Sequence, residues 1–187
     1  MPIADTRELL LHELRELYDA EHRFLEGQVQ MVHRATDPEL QRSIEDHIYQ
    51  TRQHIQNLER FFGELGQEPR RETNEAAEGL VSEARQGFEE ARSDALRDCA
   101  INAAVVKVEH LEIASYRGLL TGVRLMMGQS VAVDDLLQTN LRQEEETART
   151  AEQSAGDLLQ KAMQSEQPER EGLIDKVKRR FPNPLRP

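Results

Sequence analysis

The fold class is decided by residues 36–66, which read TDPELQRSIEDHIYQTRQHIQNLERFFGELG. Asp37 can cap a helix and Pro38 suits the first helical position, so a helix is predicted to begin there. It should run to about Leu65, because Gly66 and the polar residues after it favour a helix end. Residues that recur with a period near 3.6 form one face of this helix, namely Leu40, Ile44, His47, Thr51, His54, Leu58 and Phe62. The pattern predicts a long amphipathic helix with two histidines on its inner face.

The sequence before this stretch predicts a partner helix over about residues 6–35, with Asp5 or Thr6 as its N-cap. Its inner stripe contains Leu10, Leu14, Leu17, Glu21, Phe24, Gln28, Met31 and Ala35. Because so few residues separate the two predicted helices, they should pack side by side in opposite directions.

Three further helical segments follow. An amphipathic segment at residues 74–91 predicts an accessory helix that joins two helical hairpins. A long helix should begin near Ser93 and end at Gly128, and another should follow a connection at residues 129–130. The inner stripes of these two long helices contain Cys99, Ala103, Val105, Val108, Glu109, Glu112 and Tyr116, and Val133, Leu137, Leu141, Glu144, Ala148, Ala151, Ala155 and Leu158. The sequence thus predicts an all-α fold, an antiparallel four-helix bundle with one short accessory helix, in a single domain at residues 1–164.

The C-terminal residues 165–187 differ from this domain, because they are polar at first and then basic. The basic residues are Lys176, Lys178, Arg179, Arg180 and Arg186, with no acid among residues 176–187. We expect this tail to be flexible. The apolar residues beside the basic cluster leave open a second interpretation, in which the tail is a docking peptide for a partner protein.

The formal net charge is −11, and the basic C-terminus leaves −16 on residues 1–175. Such an acidic domain repels nucleic acid phosphates and anionic membrane surfaces, and we expect neither as a partner. Cations are the expected partners. The single cysteine, Cys99, excludes an internal disulfide. The N-terminal residues 1–17 contain acids and lack the apolar run of a secretory signal. We therefore expect a cytoplasmic protein.

Ionisable side chains interrupt the apolar stripes of all four long helices at matched depths. They are Glu21, His47, His54, Glu109, Glu112 and Glu144. A buried charge without a partner is costly, so such groups need a counter-charge. Inward carboxylates and imidazoles in the middle of a four-helix bundle are the arrangement that chelates two metal ions. These six residues are therefore the predicted metal ligands, with iron or manganese as the expected cofactor.

Several motifs resemble the YciE/YciF family of ferritin-like stress proteins. They are LYDAEH at 17–22, His47-Ile48 with Thr51, Leu58-Glu59, AEGL at 77–80 and VEHLEIASY at 108–116. They cover about residues 6–160 in the family's order. The resemblance implies a ferritin-like, rubrerythrin-like bundle that is usually dimeric and is associated with bacterial stress responses.

The chain departs from the pattern of that family at two positions, because Gln50 stands where Glu is usual and Ala148 where an acidic residue is usual. His54 stands where Gln or His is usual. Glutamine is a poor metal ligand and alanine is none, so Gln50 and Ala148 weaken a two-metal interpretation. His110, next to Glu109, matches a polar position of the pattern.

Two functions remain open from the sequence. The first is a stress-associated protein that binds one or two iron or manganese ions in its core and handles oxygen or peroxide. The second is a metal-free bundle that acts through homodimer and partner surfaces without catalysis. Each predicted ligand has an ordinary alternative, because inner histidines are often hydrogen-bonded core residues and single glutamates often lie on wet helix faces. Metal content discriminates the two hypotheses.

Overall fold

The computed structural model describes the backbone of residues 3–127 and 131–180 and the side chains of residues 3–126 and 134–166. Within these ranges the chain forms helices and no strand, which confirms the all-α prediction. The helices are α1 (Thr6–Arg34), α2 (Pro38–Glu64), α3 (Glu75–Glu90), α4 (Asp94–Met127) and α5 (Val131–Arg180). None of the described helices has the length and apolarity that crossing a bilayer requires.

The helix starts follow from side-chain caps. The capping residues are Asp5, Asp37, Asn74 and Ser93, and each accepts a hydrogen bond from a backbone N–H two or three residues later. Such caps satisfy donors that the first helical turn leaves unpaired. Pro38 at the first position of α2 has no N–H to satisfy, which makes this start especially well defined.

The four long helices form two antiparallel hairpins. Hydrogen bonds between α1 and α2 join Tyr18 to Glu59 and Gln28 to Thr51, whereas those between α4 and α5 join Arg117 to Glu145 and Asn102 to Ala151. The hairpins pack with α1 against α4 and α2 against α5, and α3 lies against α1 and α4. This is the predicted bundle with its accessory helix.

The core contains three apolar clusters, and a polar layer lies between the two larger ones. The first cluster includes Leu14, Leu17, Leu58, Phe61, Phe62, Leu119 and Leu137. The second includes Met31, Leu40, Ile44, Phe88, Ile101, Val105 and Leu158. On α1, Glu21 falls between Leu17 of the first cluster and Met31 of the second. The predicted ligands therefore lie in the middle of the bundle, away from solvent at either end.

The backbone of α5 continues to Arg180, so this helix includes residues 165–180 of the segment that the sequence predicts as a flexible tail. Residues 165–180 contain three Glu, two Lys and three Arg residues, which favour helix. The remainder of the predicted tail, residues 181–187, and the predicted helix end at Gly128 lie outside the described residues.

Candidate metal centre

The structure brings all six predicted ligands together in the polar layer. Each is at most 3% exposed, and they come from α1, α2, α4 and α5. They form two groups that share one residue. The first group contains His47, Glu109, Glu112 and Glu144, and the second contains Glu21, His54 and Glu144. Within each group the possible ligand atoms all lie within 4.8 Å of one another.

Helix geometry explains how two groups arise and why Glu144 belongs to both. His47 and His54 are seven residues apart, which places them on one face of α2 with their Cα atoms about 10 Å apart along its axis. Glu144 of α5 lies between them, with Oε1 2.8 Å from Nδ1 of His54 and Oε2 3.7 Å from Nε2 of His47. Each oxygen of this carboxylate thus faces a different histidine, which is the arrangement of a bridging ligand.

Each histidine has an outer nitrogen held by a glutamine and an inner nitrogen that faces carboxylates. His47 Nδ1 lies 3.3 Å from Oε1 of Gln50, and His54 Nε2 lies 2.7 Å from Oε1 of Gln143. Because a glutamine oxygen can only accept, each outer nitrogen carries the proton in the neutral ring. The inner nitrogen then presents a lone pair. Histidines that bind metals are typically oriented by an outer hydrogen bond of this kind.

The carboxylates of the layer have almost no protein donors. Both oxygens of Glu109, Glu112 and Glu144 lack a hydrogen bond from any residue that the structure describes. Oε1 of Glu109 lies 3.0 Å from Nε2 of His47, yet the two atoms are not aligned for a hydrogen bond. Lone pairs from several helices therefore converge on a common space. Buried polar atoms normally have hydrogen-bond partners. This many unpaired acceptors at one place therefore indicates a cation site.

The electrostatics of the layer indicate the same requirement. Burial, together with the charge of a neighbouring carboxylate, raises the pKa of Glu109 to about 8 and that of Glu144 to about 7. Burial also raises the pKa of Glu21, and it raises that of Glu112 well above its usual value. Four ionised carboxylates would need four positive charges, which two divalent ions supply.

A chain of buried hydrogen bonds holds Glu21 in place. The hydroxyl of Tyr116 donates to Oε1 of Glu21. Nδ2 of Asn140 donates to the Tyr116 oxygen over 2.9 Å, and Nδ2 of Asn57 donates to Oδ1 of Asn140 over 2.7 Å. Burial and the charge of Glu21 raise the pKa of Tyr116 well above its usual value, so this residue remains a donor.

Comparison with known proteins places the chain in a family. Residues 5–164 match the family described as a domain of unknown function, DUF892. The chain belongs to this family. Protein YciF of Escherichia coli K12 is 28% identical over 148 residues, which cover 79% of this chain and 88% of YciF.

Solved structures agree with this assignment. The crystal structure of the E. coli stress protein YciF has a TM-score of 0.78 and 26% identity, covering 84% of this chain and 98% of YciF. YcfI of Rhodopseudomonas palustris has a TM-score of 0.77 and 31% identity, covering 80% of this chain and 94% of YcfI. A Xanthomonas campestris protein has a TM-score of 0.69 and 26% identity, covering 87% of this chain and 99% of that protein. The predicted resemblance to YciF-like stress proteins is thereby confirmed.

The departures from the family pattern acquire a physical explanation in the structure. Gln50 orients His47 through its side-chain oxygen, so it supports a ligand. Ala148 is 4% exposed and belongs to the first apolar cluster. His110 points outward and pairs with Glu152 at 2.8 Å on the surface. Both groups of possible ligands form without a side chain from position 50 or 148.

Sequence reasoning missed the residues that position the ligands. Gln143 orients His54, and Asn57 and Asn140 support Tyr116. Asn140 left a usable signal, because it lies three residues after Leu137 and four before Glu144 and therefore shares their inner stripe. Gln143 left none, because it precedes a run of acids that resembles an ordinary wet helix face.

Proposed function

We propose that the protein binds two divalent ions, iron or manganese, in the polar layer. His47, Glu109, Glu112 and Glu144 would hold one ion, and Glu21, His54 and Glu144 the other. The observation that carries this proposal is the convergence of unpaired atoms: two imidazole nitrogens and the oxygens of four carboxylates face one buried space. Such a set is expensive to bury by itself, whereas cations would satisfy every member of it.

The donor set favours iron or manganese. Carboxylates suit hard ions such as Mn²⁺, imidazole suits iron, and each group combines carboxylates with one imidazole. The single cysteine, Cys99, is outside both groups, so a thiolate-bound ion is not expected here. The second group offers three protein residues and the first four, which leaves positions for a small external ligand.

Bound iron or manganese would supply redox chemistry toward oxygen or peroxide, as the first hypothesis from the sequence holds. The residues of the chain would supply the environment. The apolar clusters on either side keep bulk water from the ligands, and Glu144 holds the two positions close together. Tyr116 keeps a proton at its hydroxyl oxygen beside Glu21. The similarity to the E. coli stress protein YciF supports a role in stress for this chain.

Metal analysis of protein purified without added metal tests the proposal. The parent should contain about two ions per chain, in the stoichiometry of a two-metal bundle site. The double variant Glu21→Ala/Glu109→Ala should contain none above background and should remain helical by circular dichroism. A matched control, Glu145→Ala/Glu152→Ala, removes two carboxylates from the exposed faces of α5 and should keep the parent metal content.

Chelator and peroxide provide two further measurements on the same proteins. Chelator should lower the melting temperature of the parent and leave that of the Glu21→Ala/Glu109→Ala variant unchanged. Hydrogen peroxide added to the ferrous parent should be consumed in proportion to its bound iron, and the double variant should consume it only at the rate of buffer. A parent without metal, whose melting does not respond to chelator, would refute the metal proposal.

The metal-free bundle is the second candidate, and one observation favours it. With a pKa of about 8, Glu109 can stay protonated at neutral pH, so part of the layer could be neutral without a cation. The protein would then act through its surfaces, beginning with the homodimer that the family resemblance implies. Light scattering at micromolar concentration tests the dimer separately, because a monomer would contradict this proposal without affecting the metal proposal.

A further inference from the structure

A cavity of about 170 Å³ lies between α1, α2, α4 and α5 on one side of the polar layer. Its inner end is formed by His47 and Glu109, and Lys161 lies at its other end. The walls between are mainly apolar and include Phe24, Met31, Ile44, Val105, Val108 and Leu158. We propose that this cavity binds a neutral organic molecule with an apolar body and one hydroxyl group, next to the ion position of His47 and Glu109.

The size of the cavity sets the size of the ligand. An engineered protein cavity of about 150 Å³ lined by Leu, Ile and Phe stays dry and binds benzene. The cavity described here has a volume of the same order, and most of its wall area is apolar. Its ligand should therefore contain about six to eight non-hydrogen atoms, as phenol and small alcohols do.

One side chain indicates that the ligand carries a hydrogen-bond donor. Gln28 lines the cavity, is 4% exposed, and gives its Nε2 to the hydroxyl of Thr51 over 3.1 Å. Its Oε1 is buried and accepts no hydrogen bond from the described part of the chain. Asn102, also in the wall, donates to the carbonyl of Ala151 and accepts from Ser154, so its amide is satisfied. The unpaired oxygen of Gln28 is thus an acceptor for a hydroxyl of the ligand.

The charges around the cavity favour a neutral ligand. The cation at its end, Lys161, is paired with Asp37 at 2.6 Å, and Asp157 and Glu39 lie in the same rim. The carboxylates of Asp157 and Glu39 at the rim would repel an anion. A carboxylate or phosphate therefore has no free cation to bind. A neutral molecule would sit with its apolar body against the walls and contact the ion position from the side.

This inference rests on the proposed function only for the neighbouring ion, and it can be tested on metal-free protein. Titration calorimetry with phenol, and with toluene as a probe of the same size without the donor, should show both binding and phenol binding more tightly. Gln28→Leu should weaken the affinity for phenol about tenfold, which corresponds to the loss of one hydrogen bond, and should leave the affinity for toluene unchanged. Ala151→Leu fills the cavity and should abolish binding of both probes.

Three controls keep the outcomes distinct. Circular dichroism and melting show that both variants are folded. Metal content of Gln28→Leu should equal that of the parent, so a failure of the metal proposal and a failure of the cavity proposal are separable. In an NMR saturation-transfer experiment, saturation of the phenol protons should transfer to the methyl groups of Met31 and Val108. The proposal is overturned if neither probe binds the parent at millimolar concentration, or if Gln28→Leu and Ala151→Leu bind phenol as the parent does.

Discussion

Buried carboxylates occur in two parts of this molecule, and they are treated in opposite ways. Asp98, 5% exposed, accepts hydrogen bonds from the N–H and hydroxyl of Thr36 at 2.8 and 2.7 Å and from the N–H of Asp37 at 3.0 Å. Glu112, 1% exposed in the polar layer, accepts none from the side chains and backbone that the structure describes. The first carboxylate joins α4 to the connection between α1 and α2. The second has no structural contact of this kind.

A third buried carboxylate, Asp19, has a pKa shift opposite in direction to that of Glu112, for the same reason. Burial tends to raise the pKa of Asp19, but hydrogen bonds from the N–H of Asn74 and from Arg23 and Arg71 outweigh it, so the value is lowered. Burial raises the pKa of Glu112 well above its usual value, and neighbouring carboxylates add to the effect. A structural carboxylate in this protein comes with its own donors. The carboxylates of the polar layer come without them, which indicates that their positive partner is a ligand.

Loss of a structural carboxylate should produce the largest change in stability. Asp98→Ala removes three hydrogen bonds to a buried charged group and leaves the N–H groups of Thr36 and Asp37 without that acceptor. We expect a loss of about 3 kcal/mol in the free energy of unfolding, measured by urea denaturation. Metal content should stay at the parent value. A variant that lost metal but kept its stability would contradict the division between the two kinds of carboxylate.

Loss of a carboxylate from the polar layer should have the opposite effect on metal-free protein. Glu112→Met keeps the approximate volume and removes a buried group with no donors. The free energy of unfolding of the metal-free protein should therefore rise by about 2 kcal/mol. The same variant should bind less metal than the parent, so chelator should change its melting temperature less. A destabilised metal-free variant would show that Glu112 has a structural role.

The pH dependence of metal-free protein should reveal the raised pKa values. A group whose pKa is higher in the folded state stabilises the fold at low pH and loses that contribution as the pH rises through the folded value. Glu109 and Glu144, with pKa values of about 8 and 7, act in this way between pH 5 and 8. His54 has the same sign, because the charges of Glu21 and Glu144 outweigh its burial and raise its pKa.

Metal-free protein should therefore become less stable from pH 5 to pH 8, as measured by its melting temperature. Asp19, with a lowered pKa, loses its contribution only as the pH falls below about 4, so it does not obscure this window. Added Mn²⁺ should remove the decline, because metal binding favours the ionised carboxylates. A metal-free melting temperature that is constant or rises toward pH 8 would contradict the assignment.

The sequence was sufficient for the fold because the starts of α1, α2, α3 and α4 each have a local chemical cause. Asp37 with Pro38 marked the start of α2, and the structure places it at Pro38. The ligands could also be predicted, because residues three, four and seven apart share a helix face. The end of α5 could not, since polar helix formers such as those at residues 165–180 are common in both exposed helices and tails.

Residues that act by contact between helices could not be predicted from periodicity along one helix. Gln143 touches His54, 89 positions earlier in the sequence, and nothing near Gln143 indicates this partner. Gln50 was interpreted as a lost ligand because a pattern of residue types does not show which way a side chain supports its neighbours. Positions within one helix are fixed by periodicity, whereas such contacts depend on the packing of the hairpins.

Tyr116→Phe should have the smallest effect on stability and is the most specific test of the polar layer. It removes one hydroxyl that donates to Glu21 and accepts from Asn140, while Asn140 retains a contact with the carbonyl of His54 at 3.3 Å. We expect a loss of about 0.5 kcal/mol in the free energy of unfolding, because the ring keeps its packing.

The effect of this substitution on metal binding should be larger than its effect on stability. Glu21 loses the donor that orients it, and removal of such an orienting group typically weakens metal affinity by about tenfold or more. The loss should fall on the ion held by Glu21 and His54, so competition with a chelator should release one ion per chain more easily and leave the other as in the parent. Equal weakening of the binding of both ions would mean that Glu144 couples the two positions so strongly that they act as one. Unchanged release of both would mean that Tyr116 only fills space, and that the hydroxyl contributes nothing to the orientation of Glu21.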